Sequence, residues 1–244
     1  MKDKIIGFLS GIAFGMTTTV PGFSGGTMLV ICGCYDRVCE ALALNFKAIK
    51  EHFFYFAVFG IGMIAGLFGF AHAAAYMIEK YPLITYLIFS VLILLGLPVV
   101  IKKIKEEKDF SPKCLIPAAM GFILVAGLFT MEMLGITGAD KSFNPVMMII
   151  FTALSGVAQI IPGVSGAFVL IIFGAYETAV VAVKELDFSV LVFVVIGIML
   201  GLVGGSRLIT FLLKKAKTMV YCAITGMLAA SAIMLSIDTI IKYG

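Results

Sequence analysis

The sequence predicts an all-α polytopic membrane protein made of two inverted repeats, each pairing a re-entrant helical hairpin with transmembrane helices. Three observations lead there. Of the 244 residues, 61% are hydrophobic and 13% charged, and the mean hydropathy of +1.14 lies far outside the range of soluble domains. The run Val20-Pro21-Gly22-Phe23-Ser24-Gly25-Gly26 returns as Ile161-Pro162-Gly163-Val164-Ser165-Gly166-Ala167, a helix-breaking turn set twice in apolar sequence. The similarity also extends past the turn: Leu29, Ile31, Gly33 and Tyr35 recur at the same spacing as Leu170, Ile172, Gly174 and Tyr176, and Gly62, Gly66, Gly69 and Tyr86 fall opposite Gly197, Gly201, Gly204 and Tyr221.

Repeat 1 is expected over residues 1–101 and repeat 2 over 142–244, with a basic cytoplasmic loop and a linking transmembrane helix over 102–141. Five stretches are long and apolar enough to cross about 30 Å of hydrocarbon: Phe53 to Ile78, Leu83 to Ile101, Leu115 to Gly135, Phe188 to Leu213 and Met219 to Ile237. The two turn-bearing segments, Ile5 to Cys34 and Val146 to Ala175, have a second arm reaching only about 13 Å, half a bilayer. Each fits a re-entrant hairpin or a broken crossing helix.

Charge separates these options. With both segments re-entrant and the N-terminus cytoplasmic, 13 basic residues lie inside, against Lys80, Lys141, Lys184 and Lys242 outside and Arg207 within a span. With both crossing, the better orientation leaves 10 inside and 7 outside. The positive-inside rule favours the re-entrant topology, with the C-terminus extracellular. Three crossings then separate the hairpins, which enter from opposite sides and bring their tips together at mid-membrane, as in secondary transporters.

The tips have the chemistry of an anion site. Proline ends the first arm, glycines permit close backbone approach, and the second arm begins a helix whose free amides point at the turn. The residues placed at the ligand are Gly22, Ser24, Gly25, Gly26 and Thr27 in the first tip, and Gly163, Ser165, Gly166 and Ala167 in the second. A tight hairpin turn alone would explain one copy more readily than two. Arg207 is the candidate for bidentate phosphate contact, the other reading being snorkelling beside Lys214 and Lys215. His72, at a corresponding place in the first repeat, Glu132 and Gln159 are candidates for gating or proton coupling. Against that, histidine can be hydrogen-bonded in place, Glu132 can be a solvated face, and Gln159 can bond the second tip. Thr17, Thr18 and Thr19 could line the same cavity or bond their own backbone.

Other chemistries find little support. The chain has two histidines, His52 and His72, and no acidic metal cluster or nucleophile with a base at sensible spacing, so no enzyme, metal or cofactor is implied. The five cysteines form no CxxC pair and read as small apolar filler. A net charge of +4 requires no nucleic-acid partner. Residues 36–52 read as one amphipathic helix on the cytoplasmic surface, where the basic cluster from Lys102 to Lys113 would meet anionic lipid. Lys2 and Lys4 before an apolar run mimic a signal peptide, but no small-x-small site follows and the segment is expected to be retained.

The doubled turn, closing as Gly33-Cys34-Tyr35-Asp36 and Gly174-Ala175-Tyr176-Glu177, resembles the DUF368 family of polyprenyl-phosphate transporters over nearly the whole chain. The resemblance implies a flippase in a bacterial plasma membrane that moves undecaprenyl phosphate from the outer to the inner leaflet, recycling the lipid carrier of cell-wall synthesis. Thr18 stands where some members carry an acidic residue. A transporter or channel for a small soluble anion such as phosphate is the alternative. Oligomeric state is not legible.

Overall fold

The computed structural model describes residues 2–17, 24–107, 112–136 and 144–244, apart from the side chains of Lys2, Ala71, His72, Ala75 and Pro112. These residues fold into helices: α1 (Lys2–Thr17), α2 (Gly25–Ile31), α3 (Tyr35–Leu42), α4 (Phe46–Glu51), α5 (Phe53–Lys80), α6 (Pro82–Leu94), α7 (Gly96–Glu106), α8 (Leu115–Met133), α9 (Pro145–Ile160), α10 (Gly166–Ile172), α11 (Tyr176–Glu185) and α12 (Phe188–Tyr243). No strand occurs among the described residues. Four helical stretches have the length and apolarity of a membrane span: 53–70 within α5, α6 with α7, α8, and α12. The protein is thus a multi-pass, all-α membrane protein.

α12 is 56 residues long, about 84 Å if straight, far more than one crossing. It is not straight, because Ala216 at φ −148° and ψ 53° breaks it into arms 188–215 and 217–243. A Cβ added to Gly205 would lie 3.2 Å from Val157 Cα, and one added to Gly163 would lie 3.0 Å from the Met227 carbonyl oxygen. Residues 205 and 227 therefore both border the 157–163 stretch, although a straight helix would hold them about 33 Å apart. The arms fold back on one another at Ala216, giving the two apolar segments expected there. α5 and α6 meet at Tyr81, which precedes a proline at the first helical position. Tyr81 and Ala216 are 135 residues apart, as are Gly62 and Gly197.

Close helix contacts recur at the offsets seen in the sequence. In the first half, a Cβ on Gly62 would strike the Phe8 carbonyl, one on Gly66 the Ile12 carbonyl, and one on Gly15 the Met63 carbonyl. In the second half, Gly197 meets the Ile149 carbonyl, Gly201 that of Ala153, and Gly156 that of Ile198. Every pair is displaced by the same offsets, 141 residues for α1 against α9 and 135 for α5 against α12. Each repeat thus packs its tip-bearing first arm, backbone to backbone, against its first long helix. Gly60, Gly69 and Gly204 have open space beside them, so the glycines at these crossings divide into packing and non-packing positions.

The short arms end alike. Gly33 at φ +69° and Gly174 at φ +68° reverse the chain after α2 and α10. The amides that follow bond back in parallel, Cys34 to the Leu29 carbonyl at 3.0 Å and Ala175 to Leu170 at 2.9 Å. α10 and α11 meet at 116°.

Two expectations are corrected. The single surface helix over 36–52 is two, since Leu44 takes φ +59° and the Asn45 side chain accepts from Ala48 N at 3.4 Å to start α4. α3 buries Tyr35 and Cys39 in the core and does not lie free on a surface. The cysteines are not all filler either: Cys114 and Cys222 are paired in a disulfide with Cα atoms 5.5 Å apart, tying the start of α8 to α12.

Candidate functional site

The two tips meet. Ser24 Oγ donates to the Ile161 carbonyl at 3.1 Å, across 137 residues of chain. Gly163, held at φ +82°, donates its amide to Thr27 Oγ1 at 2.8 Å. Gly26 lies so close to the Ile160 carbonyl that no Cβ fits between them. Thr27 and Ser24 are 0% and 3% exposed, so these bonds are shielded from competing water.

The sequence places both serines at the ligand, and the structure divides the work. Neither Ser24 nor Ser165 caps its helix with its side chain. Ser24, Thr27 and the Gly163 amide are spent on holding the tips together. Within the second hairpin, Ser155 Oγ donates to the Gly166 carbonyl at 2.8 Å, and the Gly166 amide reaches Gln159 Oε1 at 3.4 Å. Gln159 is therefore a brace of the second tip. Thr17 turns its hydroxyl to its own helix, donating to the Phe14 carbonyl at 2.7 Å. Gly22, Thr18 and Thr19, and the His72 side chain, lie outside the described residues.

The open side of the site is at the second tip. A cleft of about 80 Å³ is lined by Gly163, Val164, Ser165 and Ala167 from the tip, by Phe168 and Ile171 of α10, by Leu128, Phe129 and Glu132 of α8, and by Tyr176. Glu132 and Phe129 also line a second cleft of about 120 Å³, with Tyr86, Asp238, Lys242 and Tyr243 among its walls. Gly25 and Gly26 of the first tip are buried, and the first cleft's lining includes neither.

Arg207 sits elsewhere in these contacts. Its Nε donates to the Ala43 carbonyl at 3.2 Å, closing the end of α3, and the side chain is otherwise exposed. Its terminal guanidinium nitrogens remain available to another acceptor.

One polar cluster escaped the sequence reading. Tyr221 donates its hydroxyl to Asp36, Lys103 Nζ donates to the same hydroxyl at 2.6 Å, and Lys103 pairs with Asp36 at 3.0 Å. It joins α3, α7 and the second arm of α12. Tyr221, matched to Tyr86 by the repeat, and Asp36, closing the first motif, were both visible as repeat positions. Their meeting was not.

Comparison with known proteins places the chain in a family. A family model described as VCA0040-like, undecaprenyl phosphate translocase-like, matches residues 14–240. The chain is 25% identical over 236 residues to a polyprenyl-phosphate transporter of Vibrio cholerae, covering 91% of this chain and 74% of that one. It is 26% identical over 244 residues to a polyprenyl-phosphate transporter of Staphylococcus aureus, covering 93% and 84% respectively. No solved structure gives a significant match.

Proposed function

Since the chain belongs to the undecaprenyl phosphate translocase-like family, whose members are transporters and not enzymes, we propose that it moves polyprenyl phosphate from the outer to the inner leaflet of a bacterial plasma membrane. Movement in that direction returns the spent lipid carrier of cell-wall synthesis for reuse. The observation that carries the reading is the fastening of the two tips by Ser24 and Thr27 beside an open cleft at Ser165. Two helix-breaking turns joined inside an apolar protein offer backbone and hydroxyl donors to a phosphate at a depth where lipid offers none.

In this reading both hairpins are re-entrant and the repeats inverted. The charge count supports a cytoplasmic N-terminus and an extracellular C-terminus, and the crossings by α5, by α6 with α7, and by α8 between the hairpins support their opposite orientation. Ser165 and Ala167 hold the head group, Gly163 and Gly166 shape the turn around it with their amides bonded to Thr27 and Gln159, and Arg207 contributes its guanidinium when the halves rock. Gly22, Gly25, Gly26, Ser24 and Thr27 form the other half of the frame. Gln159 braces the second tip, His72 is assigned the gating role, and the lysines of the 102–113 segment rest on anionic lipid of the cytoplasmic face.

Reconstitution tests it. Liposomes carrying the protein are expected to move a labelled polyprenyl phosphate between leaflets faster than empty ones. If they move the lipid no faster while soluble phosphate crosses, the protein is a soluble-anion transporter instead.

A further inference from the structure

We propose that Glu132 links occupation of the second tip by a phosphate head group to the uptake of one proton. This rests on the lipid-phosphate reading above and adds the group that regulates the same site.

Glu132 stands on the last turn of α8, where its side chain belongs to two clefts at once. The first contains the Gly163 and Ser165 tip. Among the described residues its other walls are apolar apart from Glu132 itself and Tyr176 of α11, and no lysine, arginine or histidine lines it. The second contains Tyr86 of α6 together with Asp238, Lys242 and Tyr243 of α12. Lys242 is already bound to Asp238 at 2.8 Å, so that pair is close to neutral. Among the described residues Glu132 makes no hydrogen bond or ion pair. Its carboxylate thus stands at the boundary between the two clefts with no directly bonded partner among the described residues.

A phosphate monoester entering the first cleft brings at least one more negative charge to an apolar enclosure. Two anions in such a place raise the affinity of the pair for a proton, as two carboxylates do when they share one. A proton added from water to the Glu132 carboxylate removes the repulsion and makes the new O–H a donor to a phosphate oxygen. When the lipid leaves, the O–H bond breaks and the proton returns to water. The second cleft, with its ionic and hydroxyl groups, is a polar approach to Glu132 that bypasses the phosphate. Lipid and proton thus arrive together, and the site's net charge changes less than it would on binding the lipid alone.

The experiment uses the full-length protein in detergent micelles, titrated with undecaprenyl monophosphate in weak buffer containing a pH indicator. Uptake approaching one proton per lipid bound is expected, with the dissociation constant rising up to tenfold per pH unit above the point where Glu132 ionises. Glu132→Gln is expected to take up no proton through this group and to keep only the pH slope of the lipid's own phosphate. Glu132→Asp should restore part of the steeper slope. Wild-type binding without proton uptake, or an unchanged slope in Glu132→Gln, overturns the proposal while leaving lipid transport standing. Failure of the wild type to bind the lipid at any pH overturns the lipid-phosphate reading, and this inference with it.

Discussion

The amide of Gly163 donates to Thr27 Oγ1 at 2.8 Å, so the turn of the second repeat hangs on the first helical turn of α2. Both groups are buried, and replacing the acceptor leaves a buried amide unpaired. Thr27→Val, which keeps the shape, should cost about 1–3 kcal/mol. A thermal melt in detergent would show the loss, and Thr27→Ser should recover most of it. A melting point equal to wild type in Thr27→Val would mean that the Thr27–Gly163 bond does not fasten the tips.

The glycines at the helix crossings allow a sharper test because each has a neighbour that serves as its control. Gly66→Ala and Gly201→Ala push a methyl into the carbonyls of Ile12 and Ala153 and should destabilise the protein by about 1–3 kcal/mol as the helices part. Gly69→Ala and Gly204→Ala meet open space. They should be neutral or stabilising by about 0.5–1 kcal/mol, the ordinary gain of alanine over glycine in a helix. Equal effects in the two sets would contradict the crossing geometry.

These same glycines show how far the sequence could be read. The two offsets in the repeat fixed which residues correspond, and the structure repeats the contacts at those offsets, down to the turns at Tyr81 and Ala216. The four-residue spacing of Gly62 and Gly66, and of Gly197 and Gly201, marks one helix face, and Gly60 falls off it; Gly69 and Gly204 share that face, so the open space beside them was not legible from spacing. The division of labour at the tips was beyond the sequence. Whether Ser24 faces a ligand or the Ile161 carbonyl depends on how the two hairpins are rotated about one another, and no periodicity within either hairpin encodes that. The Asp36–Tyr221 bond, across 185 residues, and the Cys114–Cys222 pair, across 108, depend on the third dimension in the same way.

The cysteine pairing can be counted directly. Cys32, Cys34 and Cys39 are free thiols and the other two are joined. Protein unfolded without reductant should therefore take up three equivalents of a maleimide, and five after reduction. Five in both conditions would show the pair to be two adjacent thiols in the cell from which the protein was purified.

The Asp36, Lys103 and Tyr221 cluster ties the end of the first hairpin to α7 and to the second arm of α12. Tyr221→Phe removes the hydroxyl that receives from Lys103 and donates to Asp36, yet keeps the buried ring. A loss of about 1–2 kcal/mol is expected in the melt, because the direct Lys103–Asp36 pair remains and is partly exposed. A loss as large as that of Tyr221→Ala would mean that the hydroxyl, and not the ring, does the docking.

Arg207 carries two separable duties, and its variants can tell them apart. The bond from Nε to the Ala43 carbonyl is exposed, so losing it should cost no more than about 1 kcal/mol. Arg207→Lys keeps the charge but not the planar fork that holds a phosphate through two hydrogen bonds. If the guanidinium takes the head group during transport, both Arg207→Ala and Arg207→Lys should slow lipid movement at least tenfold while the melting point falls little. A transport rate at the wild-type level in either variant, with the same small stability loss, would confine Arg207 to closing the end of α3.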